Sequence, residues 1–335
     1  MCASCGTPAA LPPHHPSPAS GVSAGPQHPT SQAPGDTTAP TTTAPGPPYP
    51  VGLRTLQYTD PTRLVPADHS PDGQPSPRIL RTDIYYPAAA PARPRSKPPE
   101  PARGPFPLVV FAPGYDVDTS AYAPLLDSWA QAGYVVAAVT FPLTNPSTPG
   151  GPDESDIVNQ PGDLRFVIDR LVAASAAPSG LIHGLIDSSA IAIAGHSDGA
   201  EAAAAIAYDT CCRDPRIRAA IIMSGSELPM GTGTYFPPAS PPLLAIQGTG
   251  DHVNPPERMD ALYEADPGAK LFLTLTGADH LGPYTGGGAA ARLVDAVTVD
   301  FLDAELRHDP AALGQLAAQA GSSPLARLQA SQPEA

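Results

Sequence analysis

The hydrophobic pattern divides the chain into two kinds of short segment. Val51–Asp60 and Arg81–Ala88 mix β-branched and aromatic residues with polar ones, which is typical of half-exposed antiparallel strands. Phe106–Tyr115 instead begins with a continuous apolar run, FPLVVFA, and continues into Pro-Gly-Tyr. Such a run predicts a strand that is buried on both faces and ends in a turn.

Beyond this strand, predicted helices and strands alternate. Leu164, Val167, Ile168 and Leu171, for example, recur at the spacing of one helix face. The predicted helices cover residues 121–132, 162–175, 199–208, 256–265 and 289–307, and the predicted strands cover 134–141, 190–194, 217–225, 242–251 and 270–277. This order predicts an α/β fold with a doubly wound, mainly parallel sheet and helices on both faces. Because the loop 226–241 is short, no large lid domain is expected.

Composition sets the limits of the domain. Residues 1–50 contain thirteen prolines and a single charged side chain, Asp36. The segment has few large apolar residues, and burial of so few does not offset the entropy lost when the backbone is ordered. We therefore expect a disordered stalk rich in Pro, Thr and Ser. Residues 51–308 are expected to form the one packed domain. We interpret 309–335, which carry a weak amphipathic helix in 311–320, as a peripheral C-terminal appendage.

Charge excludes one class of partner. The chain has 18 Lys and Arg against 32 Asp and Glu, a formal net charge of −14, and its only lysines are Lys97 and Lys270. Nucleic-acid binding depends on clustered cationic side chains, so no nucleic-acid partner is expected. The apolar segments are too short, and too often broken by Gly or Pro, to span a bilayer. We therefore expect a soluble domain.

The four cysteines fit no zinc-ligand spacing and are too few for a disulfide scaffold. Cys211 and Cys212 are adjacent and would join only in a strained ring, so we expect small buried apolar residues there. The start, MCASCGTPAA, resembles that of a mature bacterial lipoprotein, with Cys2 lipidated and Met1 added for expression. No signal peptide is visible in this chain. The expected location is extracytoplasmic, either secreted or anchored in the envelope.

One serine stands out by its local context. Gly195-His196-Ser197-Asp198-Gly199 fits the pattern G-x-S-x-G, which is a weak signal by itself. Here the serine directly follows a predicted buried strand and opens a predicted helix. That setting is typical of a nucleophile elbow, a strained turn that lifts the serine hydroxyl above the sheet.

A serine nucleophile needs a base, and the base needs an orienting acid. Asp251 follows the next-to-last predicted strand, and His280 follows the last one, in the chain order that this geometry requires. Of nine histidines, only His280 has this position. Asp251 has the alternative role of capping the next turn, in which case Asp279 or Asp260 is the acid. The Asp-His pairs at 251–252 and 279–280 lack the acidic cluster of a metal site, so no metal is expected.

Two backbone amides are candidates for the oxyanion hole. One belongs to Asp198 at the start of its helix, where the helix dipole favours negative charge. The other belongs to Tyr115, which follows Gly114 in the turn after the first buried strand. The alternative is that this turn is an ordinary turn without a catalytic role. A carboxylate near an oxyanion would oppose the reaction, so we expect the Asp198 side chain to point away and to cap or ion-pair elsewhere. His196 is expected to serve in packing.

These motifs resemble those of the α/β-hydrolase superfamily over residues 51–307. Among its members, the chain resembles the cap-less serine esterases: the polyester hydrolase and cutinase-like group, with a similar Pro-Gly-Tyr turn, and the platelet-activating-factor acetylhydrolase and dienelactone hydrolase relatives. The resemblance implies hydrolysis of small or polymeric carboxylic esters through an acyl-enzyme on Ser197, with no cofactor. Polyester hydrolases usually have Met where this chain has Asp198, which counts against bulky aromatic polyesters.

The substrate cleft is expected to be open to solvent. Its candidate lining residues are Gly114, Met223 and Tyr284, and the apolar ones could equally pack in the core. Further candidates of the same kind are Leu228, Met230, Tyr235 and Phe236. We expect a monomer. Two other functions stay open at this point, a catalytically silent binding protein on the cell envelope and an amidase or peptidase with the same triad.

Overall fold

A computed structural model describes residues 48–70, 72–92 and 97–331 of the chain. Cys2 and nearly all of the predicted stalk lie outside these residues, so the predictions of a disordered stalk, a lipid anchor and an extracytoplasmic location stay predictions. The end of the predicted stalk is described and packs on the domain. The Tyr49 amide donates to the Gln131 carbonyl at 2.8 Å, and the Tyr49 ring meets the Phe106 ring edge-on. The packed domain therefore begins before Val51.

The described residues form one sheet of nine strands. These are β1 Val51–Val65, β2 Ser76–Pro87, β3 Phe106–Ala112, β4 Val135–Thr140, β5 Ile186–His196, β6 Ile217–Met223, β7 Leu243–Gly248, β8 Lys270–Leu275 and β9 Ala326–Ser331. Their order in the sheet is β1-β2-β4-β3-β5-β6-β7-β8-β9. The strands from β4 to β8 in this order pair in parallel, whereas β1, β2 and β9 pair antiparallel. The predicted mainly parallel sheet is confirmed.

Helices cover both faces of the sheet, as predicted. They are α1 Ala123–Gln131, α2 Gln160–Ala176, α3 Asp198–Tyr208, α4 Pro256–Ala265, α5 Gly282–Thr285, α6 Ala289–Arg307 and α7 Ala312–Ser322. Side chains of α2, α3 and α4 share one core cluster with one face of the sheet. Side chains of α1, α5, α6 and α7 share the second cluster with the other face. No helix of the described residues is both long and apolar enough to cross a membrane.

Strand β3 shows why its sequence is apolar throughout. Leu108 and Val110 point into one core cluster, whereas Val109 and Phe111 point into the other. All four side chains are fully buried. A strand in the middle of a doubly covered sheet has no solvent face, so alternation of side chains cannot produce alternation of polarity.

The C-terminal segment corrects the interpretation of 309–335 as a peripheral appendage. Helix α7 packs on α6 through Ala312, Leu316 and Ala320, which are buried in the same core cluster or beside it. The segment then adds β9 to the edge of the sheet, paired with β8 from Lys270 opposite Ser331 to Leu275 opposite Ala326. Because β9 is held by backbone pairing and has few buried side chains, its sequence lacks the apolar signal of a strand.

The structure also corrects the expectation for Cys211 and Cys212. The two residues form a disulfide bond with each other. Cys211 is exposed and Cys212 is half-buried, so neither fills the core. They lie in the turn that follows α3, where the Cys212 amide donates to the Asp209 carbonyl at 3.0 Å.

A buried ion-pair cluster joins β2 to the start of α2. Arg78 is 1% exposed and donates to both oxygens of Asp163, at 2.9 and 2.6 Å, and to both oxygens of Asp156, at 2.8 and 2.7 Å. Both carboxylates are buried as well. A buried charge without a partner is strongly destabilising, so each member of this cluster depends on the others.

We expect Arg78→Met to lower the free energy of unfolding by about 3–5 kcal/mol, because it leaves the buried Asp156 carboxylate without its cation and Asp163 with Arg63 alone, at 2.8 Å. Arg81→Met in the same strand is the matched control: the Arg81 side chain is 47% exposed and pairs with Asp83 at 3.0 Å. It should cost at most about 1 kcal/mol. Urea unfolding measures both. Equal losses for the two variants would contradict the stabilising role of the Arg78 cluster.

Candidate active site

Three strands bring the predicted triad residues together at the carboxyl ends of the parallel strands. Ser197 directly follows β5, Asp251 follows β7, and His280 follows β8. These strands belong to the parallel part of the sheet, so their carboxyl ends lie on the same side. In open α/β sheets, ligands bind in the crevice at these ends.

Ser197 occupies a strained turn that its neighbouring glycines permit. Its backbone has φ 55° and ψ −127°, in the region that residues with a side chain rarely adopt. A Cβ on Gly195 would lie 2.1 Å from the Gly199 carbonyl oxygen, and a Cβ on Gly199 would lie 2.1 Å from the Ala112 carbonyl oxygen. Neither position can carry a side chain, which explains both glycines of G-x-S-x-G.

The three side chains form a continuous hydrogen-bonded series. Ser197 Oγ lies 2.9 Å from His280 Nε2, and His280 Nδ1 lies 2.7 Å from Asp251 Oδ2. A carboxylate only accepts hydrogen bonds, so Nδ1 carries the proton of the neutral imidazole. Nε2 is then free to accept the proton of the serine hydroxyl. This is the arrangement of a nucleophile, a base and an orienting acid.

Asp251 is held in its ionised form by several donors. It is 2% exposed, and burial raises the pKa of its carboxyl. Hydrogen bonds from His280, from the amides of Asn254 and Val253, and the charge of His280 outweigh burial and hold that pKa below its ordinary value. The amides of Val253 and Asn254 both donate to Oδ1 at 2.9 Å, and Gln247 Nε2 donates to Oδ2 at 3.0 Å.

The structure places the alternative acids outside this series. Asp279 Oδ1 accepts from the amides of Leu281 and Gly282, at 3.2 and 2.6 Å, so its carboxylate caps a turn. Asp260 is exposed on α4, and His252, next to Asp251, is exposed as well. Among the described residues, no group of three or more His, Cys, Asp or Glu side chains could hold a metal ion.

The predicted oxyanion turn lies against the nucleophile. A Cβ on Gly114 would lie 3.1 Å from Ser197 Cβ, so the turn after β3 closely approaches the serine. The Tyr115 hydroxyl donates to the Pro152 carbonyl at 3.0 Å, which directs its side chain away from Ser197. Asp198 is the first residue of α3, where amides have no partner within the helix. The structure thus brings both predicted amides to the region of the nucleophile.

The Asp198 side chain differs from its prediction. We expected a cap or an ion pair, but in the part of the chain that the structure describes Oδ2 is buried without a hydrogen-bond partner and no cation lies within ion-pair distance. Burial, and then the charges of Glu201 and Glu154, raise the pKa of Asp198 to about 7. The carboxyl is therefore largely neutral below pH 7, which lowers the cost of burying Oδ2 without a hydrogen-bond partner.

Beside Asp198 lies a cavity of about 970 Å³. Its apolar lining residues include Leu228, which was among the predicted lining residues, together with Ile157 and Leu262. Its charged lining residues are Glu154, Asp198, Glu201, Glu227 and Arg258. A substrate group bound here would lie next to the residue that follows the nucleophile.

Two predicted substrate-binding residues are corrected. Met223 and Tyr284 are 0% and 1% exposed and pack in the core between the sheet and α6. The Tyr284 hydroxyl lies 3.0 Å from Ser224 Oγ and donates to the Ile246 carbonyl at 3.3 Å. Both lie near the site in sequence, but their side chains point away from the solvent side of the strand ends. Gly114, the third predicted residue, does border the nucleophile.

Sequence reasoning missed several supporting residues. Gln247 is the one polar residue in the run LLAIQG of β7, and a polar side chain in a buried strand was a usable signal. Asn254 Nδ2 donates to the Ser224 carbonyl at 2.7 Å, which ties the Asp251 loop to the end of β6. His196 does pack in the interior, as predicted, but its ring also makes two hydrogen bonds, to Tyr122 and to the His280 carbonyl.

Comparison with known proteins finds similar sequences. The family model described as "Serine hydrolase (FSH1)" matches residues 186–284, the segment that contains Ser197, Asp251 and His280. The bis(hydroxyethyl) terephthalate hydrolase of Streptomyces coelicolor (strain ATCC BAA-471 / A3(2) / M145) is 26% identical over 229 residues, which cover 68% of this chain. The match spans 63% of the length of that relative.

The fold has a solved counterpart. The structure of the ferulic acid esterase from Streptomyces cinnamoneus aligns with 87% of this chain and 98% of its own, with a TM-score of 0.62 and 22% sequence identity. Likeness at this identity concerns the fold. Together with the sheet order and the family match over residues 186–284, it supports the resemblance first seen in the motifs: the chain has an α/β-hydrolase fold and is similar to serine hydrolases.

Proposed function

We propose that the protein is a carboxylic ester hydrolase that works through an acyl-enzyme on Ser197. The single observation that supports this best is the hydrogen-bonded series from Ser197 Oγ to His280 Nε2 at 2.9 Å and from His280 Nδ1 to Asp251 Oδ2 at 2.7 Å. Ser197 is largely buried, at 8% exposure, and lies at the carboxyl ends of the strands, where ligands of open α/β sheets bind. A small ester carbonyl would approach its hydroxyl from this side.

The reaction uses these groups in two half-reactions. His280 Nε2 takes the hydroxyl proton as Ser197 Oγ bonds to the ester carbonyl carbon, and the carbonyl oxygen becomes an oxyanion. When the intermediate collapses, the ester C–O bond breaks and His280 returns the proton to the leaving alcohol. Water then repeats the sequence on the acyl-enzyme, with His280 as base. The free acid leaves and the Ser197 hydroxyl is restored.

The amides of Tyr115 and Asp198 are the proposed oxyanion donors. Preorganised donors aimed at the developing charge contribute strongly to such reactions. Gly114 supports this role, because its approach to Ser197 Cβ brings the following amide beside the carbonyl that Ser197 attacks. The start of α3 supplies the second donor and the positive end of a helix dipole.

The proposed substrates are small esters of carboxylic acids, including aromatic acids, with polyester hydrolysis as the finer proposal. The curated relative is named as a bis(hydroxyethyl) terephthalate hydrolase. The cavity beside Asp198 has apolar residues in its lining and is about 970 Å³ in volume, within the range of small-molecule pockets. Its acidic residues favour neutral substrates over carboxylate-bearing ones, because like charges repel.

Ser197→Ala is expected to lower kcat/KM for p-nitrophenyl butyrate by about 10⁴-fold or more, since triad members act as a unit. The same substitution should abolish labelling by a fluorophosphonate probe. Ser189→Ala, an exposed serine near the other end of β5, is the control and should leave both unchanged. Faster cleavage of a matching anilide than of the ester would instead favour an amidase. Absent labelling and turnover of the folded wild type would favour a silent binding protein.

Asp198→Asn tests the electrostatics of the proposed oxyanion site. Ionisation of Asp198, whose pKa is raised to about 7, places a negative charge beside the oxyanion and opposes its formation. The ratio of kcat/KM for the Asn variant to that for wild type should therefore be constant below about pH 6. It should rise through pH 7 by roughly three- to tenfold, because solvent screening limits the effect. A ratio that does not change between pH 5.5 and 9 would contradict this role.

Protein stability provides a control for the same titration. The pKa of Asp198 is raised in the folded state relative to its ordinary value of 3.8, so the folded state resists ionisation. Wild type should therefore lose stability relative to Asp198→Asn as pH rises from about 4 to 7, and the difference should stay level above that. Urea unfolding at pH 4, 7 and 9 measures this difference independently of turnover.

A further inference from the structure

A buried hydrogen-bonded chain connects the two sides of the proposed site behind the nucleophile. His196 is fully buried. Its Nδ1 lies 2.8 Å from the Tyr122 hydroxyl, and its Nε2 lies 2.8 Å from the carbonyl oxygen of His280. The amide of Gly114 donates to the same Tyr122 hydroxyl at 3.2 Å. These hydrogen bonds therefore connect the oxyanion turn at Gly114 to the backbone of the proposed base, His280.

The partners determine which group donates and which accepts in each of these hydrogen bonds. The His280 carbonyl can only accept, so Nε2 of His196 carries the hydrogen. Burial, and then the charge of His280, lower the pKa of His196 to about 3, so the ring is neutral and Nδ1 is an acceptor. Tyr122 must then donate to Nδ1, and its oxygen accepts from the Gly114 amide. Every donor and acceptor is used once, with no alternative tautomer.

The His280 loop is also anchored at Ala278, whose carbonyl accepts from the Gly250 amide at 3.0 Å, but the residues next to His280 itself are exposed. Asp279, Leu281 and Gly282 are exposed. The Asp279 carboxylate accepts hydrogen bonds from the amides of the turn that follows it. The His196 ring also contacts the His280 ring, with the ring centroids 4.6 Å apart and the planes tilted by 49°. The carbonyl bond therefore fixes the His280 peptide plane, and with it the direction in which the imidazole leaves the backbone.

We infer that Tyr122 and His196 are positioning residues: they hold the His280 imidazole and the Gly114–Tyr115 turn in register on either side of Ser197. This inference rests on the proposed function. The polar atoms of both side chains are used in hydrogen bonds to each other, to the His280 carbonyl and to the Gly114 amide. Their effect on the reaction therefore acts through the backbone of His280, the amide of Gly114 and the contact of the His196 ring with the His280 ring.

Tyr122→Phe is the variant that tests the chain with least disturbance. It removes one oxygen and keeps the ring that packs on Phe111 at 4.8 Å. Nδ1 of His196 and the Gly114 amide then lose their partner. Because small displacements of catalytic groups cost much in rate, we expect kcat for p-nitrophenyl butyrate to fall by about 10- to 100-fold. KM should stay within about threefold, and fluorophosphonate labelling of Ser197 should slow by the same factor as kcat.

Tyr86→Phe is the matched control. Tyr86 is a buried tyrosine whose hydroxyl donates to one carbonyl, that of Pro99, at 2.7 Å, and it lies on β2 outside the site. Its loss of stability in urea should be similar to that of Tyr122→Phe, while kcat stays within twofold of wild type. This comparison separates an effect on positioning from a general effect of removing a buried hydroxyl.

His196→Phe keeps an aromatic ring, slightly larger than imidazole, and removes both hydrogen bonds, so it should lower kcat at least as much as Tyr122→Phe does. If Tyr122→Phe does not fold, the same kinetic comparison is made with His196→Phe. A folded variant of either kind with wild-type kcat would overturn the inference while wild type remains an esterase. Absence of ester hydrolysis by wild type itself would overturn the proposed function, and the role of the chain with it.

Discussion

A contact between two backbone segments, too close for any side chain, determines the geometry of the site. Gly199 at the start of α3 lies against the carbonyl of Ala112 at the end of β3, and a Cβ there would lie 2.1 Å from that oxygen. The contact brings the first turn of α3 beside the turn that follows β3. Ser197 lies between them on its strained φ. A serine hydroxyl, a helix terminus and a second backbone turn therefore meet with little freedom to separate.

Hydrogen bonds fix the orientation of the polar groups behind this contact. The Asp251 carboxylate accepts four hydrogen bonds, and the His196 ring uses both nitrogens. Buried polar groups are costly unless satisfied, and fully satisfied networks are rigid. Asp198 differs, since its Oδ2 has no partner and its pKa is raised instead. The site thus combines a fixed interior with a carboxyl group whose charge depends on pH.

Much of this arrangement was predictable from sequence, because local patterns and chain order carry it. The predicted bounds of α4 and α6 agree with the structure, and the positions after successive strands sufficed to bring Asp251 and His280 to Ser197. Three kinds of feature were not predictable. Strand β9 has no apolar signal, the inward direction of Met223 depends on the pleat of β6, and Tyr122 meets a ring 74 positions away. Such long-range pairings leave no periodic trace in a single sequence.

Strand β9 has a consequence for how this protein can be handled. It covers the edge of β8 with six consecutive residue pairs, and β8 leads directly into the loop that bears His280. A chain truncated ahead of Ala326 would uncover the unpaired backbone groups of that edge, which act as a template for other strands. Such a truncated protein would be prone to self-association at the edge nearest the proposed base. Removal of the C-terminal residues would therefore lower the solubility of the protein.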